Sequence, residues 1–363
     1  MTILTQASTQ WMSRPADQRF TSLNDLNDHC TYARKTSVGK VLSSRQIEAR
    51  PVDGTRDGMQ VVGPNGGPVE VTHWSFGQLA QRAGAPAGYL RGLPSPIAAD
   101  CINYGLRFKR DVEDVGVLLH KNGGPAELRA VTGPNYGRVW NSTITQSLVG
   151  LFGDGVNGHW RVPGEFGKRV DVTKDNTTLY ASDRDMFVFL ADEDRRIEVP
   201  NRRDGKSGAM ARGFFVWNSE VGSTSFGFAG FLFDYTCSNR IVWGVQDFKE
   251  IRIRHTASAP DRWMEEITPA IEAYAKSSAA GVQQAIQAAQ LKKLDDVDAF
   301  LRNRFSSAQV SGIKAAHMAD EQRPIETIWD ATTAITAYAR GIQYQDERVQ
   351  IEREGGKVLE LAA

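Results

Sequence analysis

The stretch from Gly213 to Trp243 reads GFFVWNSEVGSTSFGFAGFLFDYTCSNRIVW. In an extended chain successive side chains point to opposite faces, so Phe226 and Phe228 share one face. After Ala229-Gly230 the apolar phase moves by one residue, to Phe231, Phe233, Tyr235 and Cys237. A one-residue phase change at a glycine is the mark of a β-bulge, so a bulge or strand break is expected at Ala229-Gly230. Further on, Ile251 and Ile253 alternate with Arg252 and Arg254, which describes a strand with one apolar and one basic face.

Strand composition extends N-terminally through Val115–His120, Glu127–Thr132, Trp160–Val162, Thr178–Ala181 and Met186–Leu190. Met-Phe-Val-Phe-Leu is a continuous apolar run, as expected of a strand buried on both faces. Ile144–Phe152 reads as an intervening helix. Arg45–Val52, Met59–Val62 and Val69–Thr72 read as extended segments, punctuated by the turn dipeptides Asp53-Gly54 and Asn65-Gly66. Residues 1–20 are polar and aperiodic, a loose arm, and a short helix follows near Ser22–Ala33.

Phe76, Leu79, Ala80 and Ala83 share a helical face; Gly84 stops that helix and another opens near Pro86. The pair resembles a helix-turn-helix, a form that ordinary packed hairpins share. After Ser258 the period becomes helical. Ser258, Pro260 and Asp261 make a helix start. Val297, Phe300, Leu301 and Phe305 form one stripe; Ile328, Ile335, Tyr338, Ala339 and Ile342 form another. Pro324 is expected to open the second of these helices, and a polar break is expected near Ser306–Gly312. The expected fold is α+β. A mixed or antiparallel curved sheet with flanking helices occupies residues 41–258, after an arm and short helix over 1–40. An all-helical subdomain fills 259–363.

With 363 residues, 41% apolar and 24% charged, the chain has the balance of a folded protein with two or three packed units. Lys plus Arg and Asp plus Glu both total 43, which excludes a whole-chain polyelectrolyte. From Asp261 onward 12 basic residues face 16 acidic ones, so the basic surplus lies in the first 260 residues. Three scattered cysteines, Cys30, Cys101 and Cys237, fit a reducing compartment better than a disulfide framework. No basic-then-apolar leader and no span of ~20 apolar residues is visible, so a cytoplasmic protein without a membrane segment is expected.

Local catalytic signatures are missing. His29, His73, His120, His159, His255 and His317 show no metal-ligand spacing. Asp183-Arg184-Asp185 and Asp192-Glu193-Asp194 flank the apolar strand; they would suit magnesium, but are more simply read as solvated strand ends. Residues 200–207, PNRRDGKS, end like a phosphate loop, yet Pro200 stands where glycine is needed, and proline supplies no backbone N–H for an anion nest. Cys237, in an aromatic strand, reads as a buried thiol. No cofactor or metal is expected.

Charge is locally concentrated instead. Arg195, Arg196, Arg202, Arg203, Lys206 and Arg212 fall within 18 residues, against only Glu198 and Asp204. Together with Arg252 and Arg254 they are candidate phosphate contacts. Tyr136, Trp140, Phe214, Phe215 and Trp217 are interleaved aromatics, which beside basic groups make stacking platforms for single strands. The opposing reading places these aromatics in the core and the arginines in a solvated loop.

Several stretches carry a resemblance: FGQLAQRAGAPAGYLRGLP, RAVTGPNYGRVWN, LYASDRDMFVFL, the NSEVG-to-CSNRIVWG block with IRIRHT behind it, then TIWDATTAITAYARG and EREGGKVLE. In this order they resemble the phage/plasmid-like protein family called domain of unknown function 932, over roughly residues 70–360. That resemblance implies a mobile-element setting, in phages, prophages or plasmids, and brings no catalytic residues. The expected function is sequence-nonspecific binding of nucleic acid, single-stranded DNA above all, as a recombination or annealing accessory, with a homo-oligomer among the expected partners. The alternatives are a metal-dependent nuclease or other enzyme with a site assembled from distant residues, and a phage structural or host-interaction protein without a nucleic-acid role.

Overall fold

The computed structural model describes residues 14–362, apart from 64–65, 109–111, 122, 164–170, 201–206, 235–238, 242–250, 279 and 343–344. Among these residues the chain forms two sheets and flanking helices, an α+β fold in which neither sheet closes on itself.

The first sheet contains β2 (Ser37–Ser43), β3 (Glu48–Pro51), β4 (Met59–Val62), β5 (Val69–Val71), β6 (Asp114–His120) and β7 (Glu127–Thr132), in the order β2-β6-β7-β5-β4-β3. Strands β2 and β3 are joined by the single turn Ser44–Gln46, yet they lie at opposite edges. A flat six-stranded sheet would hold its edges ~24 Å apart, whereas five residue steps reach at most ~17 Å. The sheet therefore curls. Helices α2 (His73–Ala83) and α4 (Ser95–Phe108) cover it, placing Leu79, Ile102 and Leu106 in one core with Ala49, Val115 and Val131. The Asn103 amide donates to the Ala49 carbonyl at 2.8 Å and accepts from its N–H at 2.7 Å, so a helix side chain occupies the β3 edge. Thr72 caps α2, and Gly84, at φ 73°, ends it. Helix α3 (Ala87–Leu90) spans only four residues, too short to serve as the reading helix of a helix-turn-helix.

The second sheet follows β1 (Arg19–Phe20), β9 (Leu179–Ala181), β10 (Met186–Asp192), β12 (Gly208–Asn218), β13 (Phe226–Asp234) and β14 (Asn239–Ile241). Strand β8 (Trp160–Arg161) pairs with β10, β11 (Ile197–Val199) with β12, and β15 (Ile251–Ile253) with β13. Every residue of β10 is buried, as its apolar run requires. One face carries Val188, Leu190, Phe214, Val216, Phe226 and Phe228. They pack with Leu23 and Leu26 of α1 (Leu23–Lys35), with Ile144 and Leu148 of α5 (Asn141–Phe152), and with Trp263 and Ile271. The other face carries Phe187, Phe189, Phe215, Trp217 and Phe231. Strand β1 and helix α1 are thus built onto the second sheet, the short helix expected near Ser22–Ala33 being α1, while most of the arm expected over 1–20 lies outside the described residues.

The bulge expected at Ala229-Gly230 is absent. Pairing runs without a break from Met210↔Asp234 to Trp217↔Gly227. Phe228 and Phe231 lie on opposite faces, and both are buried, at 0% and 2% exposure. The phase change reflects a strand buried on both sides, where alternation carries no information. Gly230 instead leaves room for a ring: a Cβ there would meet Tyr274 at 3.0 Å, and the Tyr274 hydroxyl donates to the Gly213 carbonyl at 2.7 Å. A bulge does occur between β6 and β7, where Leu118 opposes Ala130 and Leu119 opposes Leu128, leaving Arg129 as the extra residue.

The C-terminal region is helical: α6 (Ala259–Arg262) runs through a π-turn at Trp263–Ile267 into α7 (Thr268–Lys276), followed by α8 (Ala280–Leu291), α9 (Val297–Arg302), α10 (Ser307–Glu321), α11 (Ile328–Arg340) and α12 (Gln345–Glu360). Ser258 makes no side-chain cap bond. Ser306 caps α10, so the polar break precedes it and Gly312 lies inside the helix. Thr327, not Pro324, caps α11. Ile286, Leu301, Ile313, Trp329 and Ile335 share a core with Val199, Met210 and Leu232 of the second sheet. No helix among the described residues is long and apolar enough to cross a membrane.

Burial of both faces of β13 makes a clear expectation. Phe228→Ala and Phe231→Ala should each cost ~3–5 kcal/mol in urea denaturation. A cost below about 1 kcal/mol for either, well under that range, would mean that its face is not core.

Candidate nucleic-acid interface

The two sheets meet at the connection between β12 and β13, residues 219–225. Its Glu220 is buried and reaches Arg129 of β7 at 3.1 Å, with side-chain exposures of 2% and 8%. The bulge in β7 provides this contact: Leu128 and Val131 face the first core, while the extra residue turns Arg129 away from it. The second Glu220 oxygen accepts from the Asn141 N–H at 2.8 Å, at the N-terminus of α5, where the helix dipole favours a carboxylate. Arg138 donates to the Glu220 carbonyl at 2.7 Å, and Tyr136 to the Ser219 carbonyl at 2.8 Å. Trp74 and Gln78 both donate to the Val221 carbonyl, at 3.0 and 2.8 Å.

A column of alternating arginines and rings crosses this seam. The Arg34 guanidinium lies 5.4 Å from the Trp140 ring; Arg138 lies 5.5 Å from Trp140 and 5.4 Å from Tyr136; Tyr136 stacks on His255 at 4.9 Å. Nearby, Arg184 lies 5.8 Å from Trp74. In the extended segment 136–140, Tyr136, Arg138 and Trp140 share one partly exposed side, while Gly137 and Val139 point inward. Gly137 is required there, since a Cβ would lie against the Thr256 carbonyl oxygen.

The Arg129–Glu220 pair borders a cavity of about 300 Å³, lined in part also by His29, His120, Glu127 and Asn141. Burial, reinforced by the Arg129 charge, lowers the pKa of His29 and of His120. Burial lowers His255 to about 4. Its Nδ1–H donates to the Gly137 carbonyl at 3.1 Å and its Nε2 is buried without a partner, so the neutral tautomer fits. The column thus takes its charge from arginine alone at neutral pH. No group of three or more His, Cys, Asp or Glu among the described residues is arranged to hold a metal.

The residues expected to bind nucleic acid separate into three groups. Arg252 and Arg254 are exposed, on and just after β15, close to the seam; Arg252 sits 5.9 Å from the Trp217 ring. Tyr136 and Trp140 are in the column: Trp140 lies between the Arg34 and Arg138 guanidiniums, and Tyr136 between Arg138 and the His255 ring. Arg195 and Arg196 lie near the hairpin of β11 and β12, where Arg195 is exposed and Arg196 pairs with Glu193 at 3.3 Å. Arg202, Arg203 and Lys206 fall outside the described residues.

Arg212 is a correction. Its side chain is 1% exposed, pairs with Asp192 at 3.2 Å, donates to Ser277 at 2.7 Å, and lies over the Trp160 and Tyr274 rings. It is a core residue, because β12 is buried on both faces. Phe214, Phe215 and Trp217 are core for the same reason. Asp192 and Glu193, read as solvated strand ends, are buried at 0% and 1% and answered by Arg212, Arg161 and Arg196. Arg34, Arg138 and Arg184 were missed. The alternation of Tyr136, Arg138 and Trp140 was a legible signal; Arg34, on a distant helix, left none.

Set against known protein families, curated proteins and solved structures, the chain matches none.

Two outcomes follow from this geometry. Glu220→Ala should cost ~3–5 kcal/mol, because it strands the buried Arg129; Glu220→Gln, which still accepts from Asn141, should cost less. Equal urea midpoints for wild type and Glu220→Ala would refute the pairing. For His255, the folded pKa of about 4 lies below the ordinary 6.5. The unfolded chain binds the proton first, so its stability contribution is complete above 6.5 and is lost as pH falls toward 4. His255→Asn should flatten the denaturation midpoint across that window, whereas an unchanged pH profile would count against a neutral buried ring.

Proposed function

We propose that the protein binds single-stranded nucleic acid, DNA above all, without sequence preference, at the arginine–aromatic column of the seam. The observation that carries the reading is the alternation Arg34, Trp140, Arg138, Tyr136, His255 at spacings of 4.9–5.5 Å. A single strand would exchange with the column: its phosphates draw the guanidiniums off the rings and its bases take their place on the ring faces, on any sequence. Arg252 and Arg254, exposed on the flanking strand, extend the positive surface. The role needs no cofactor. A mobile-element setting, implied by the family resemblance, would suit an annealing or recombination accessory.

The basic hairpin is a separate candidate. Ten residue steps of β12 separate it from the seam connection, about 33 Å of strand. One short contact would not serve both ends, and the seam is preferred because its cations are already interleaved with rings.

The test is anisotropy titration of labelled oligo-dT at two salt concentrations. Affinity should fall steeply with salt. Arg252→Ala with Arg254→Ala should lower the salt slope by about two units, one per lost phosphate contact. Trp140→Ala should weaken binding by ~1–3 kcal/mol on every sequence. Arg202→Ala, Arg203→Ala and Lys206→Ala together should have the smaller effect. The opposite ranking moves the site to the hairpin; a parent protein without salt-sensitive binding removes the reading altogether. Cleavage of the oligonucleotide on adding magnesium would favour a nuclease instead.

A further inference from the structure

Helix α4 is apolar on two sides. Ala98, Ala99, Ile102 and Leu106 are buried against the first sheet. On the outer side Ile97, Cys101, Tyr104 and Phe108 recur at steps of four, three and four, the spacing of a single helical stripe. That stripe is bare: Ile97 is 50%, Tyr104 68% and Phe108 70% exposed, and Cys101 is exposed as a free thiol. The Tyr104 and Phe108 rings lie 5.1 Å apart and form one projecting ridge. Beside the ridge, Ala83, Gly84, Ala85 and Gly105 floor an open groove of small residues. The groove is built in, since a Cβ on Gly105 would collide with the Ala83 carbonyl.

A two-fold interface uses one patch against itself, so the patch must contain both projection and recess. Here the ring ridge and the small-residue groove lie side by side. The charges are also self-complementary. Asp100 and Arg107 flank the stripe toward opposite ends of the helix, so in an antiparallel pair Asp100 of one copy comes beside Arg107 of the other. Arg107 is half exposed, and its nearest described acid, Glu48, is 3.8 Å away.

We propose that α4 packs antiparallel against α4 of a second copy of this chain, with the Tyr104 and Phe108 rings of each copy seated in the groove of the other. The pairing uses one helix face per copy and is partly polar, so it is a weak, concentration-dependent dimer at the low end of interface sizes. It rests on α4 and the end of α2, and stands whether or not the seam binds nucleic acid. Cys101 lies beside the centre of the stripe. In the register that sets Asp100 beside Arg107, its two copies are offset by about five residue rises of 1.5 Å across helices packed 8–10 Å apart, which brings the two positions within roughly 12 Å.

Sedimentation velocity of the full chain over a concentration series tests it. A monomer–dimer equilibrium is expected. Tyr104→Glu with Phe108→Glu should weaken it by about a hundredfold or more, with an unchanged circular dichroism spectrum because both rings are solvent-exposed. Asp100→Lys should weaken it severalfold, and adding Arg107→Glu should restore it by swapping the charges, a result that general misfolding would not produce. A short bismaleimide should cross-link the dimer through Cys101, and Cys101→Ser should abolish the product. A full chain that stays monomeric at every concentration overturns the proposal, as does a dimer indifferent to the ring and charge variants. A full chain that is monomeric while one lacking residues 1–13 dimerises also overturns it, because the chain's own N-terminus would then cover the stripe.

Discussion

A guanidinium and a carboxylate, Arg129 and Glu220, meet at 3.1 Å with almost no exposure to solvent, and the two sheets are joined through them. Neither charge is tolerable there without the other. Arg129 reaches the seam because β7 carries one extra residue, which changes the facing of the chain between Leu128 and Val131. Glu220 reaches it because the β12–β13 connection is held by donors from both sides: Tyr136 and Arg138 from one segment, Trp74 and Gln78 from another. The same carboxylate takes the first N–H of α5, so sheet packing and a helix start are satisfied by one group.

The far end of β12 repeats the device. Arg212 and Asp192 are paired at 3.2 Å in a core of rings, with Tyr274 and Trp160 over the guanidinium. Between the two ionic nodes the sheet is apolar on both faces. Glycines stand opposite large rings in register, Gly213 across from Phe231 and Gly227 across from Trp217. A Cβ at either glycine would lie inside the facing ring's contact distance, at 2.3 Å from Phe231 in the first case. The glycines admit rings that fill the sheet's two faces and leave the ladder straight.

This arrangement divides the basic content of the chain by location. The arginines that fall inside the double-faced sheet are answered by buried acids. At the seam Arg129 is likewise answered by Glu220, whereas Arg34 and Arg138 lie against rings, and burial keeps the neighbouring histidines neutral. Positive charge at the seam is thereby set by arginine, which does not titrate near neutral pH.

Local pattern alone determined the type of several elements. The apolar run of β10, the alternation of Arg252 with its isoleucines, the stop at Gly84 and the change to helical period near Ser258 are properties of neighbouring residues, and each recurs in the structure. Strand β2 and helix α4 were not legible: β2 exposes apolar Val38 and Val41, and α4 is apolar on two sides, so neither shows a clean period. Only the tertiary structure decided which face of an element is inside. A strand covered on both faces hides its phase, which is why Phe231 suggested a bulge that is not there while the real one, at Arg129, went unseen. The same reason placed Arg212 among candidate surface cations: its identity is written in the sequence, but the acid that neutralises it, Asp192, lies twenty residues away and meets it only across the β10–β12 pairing.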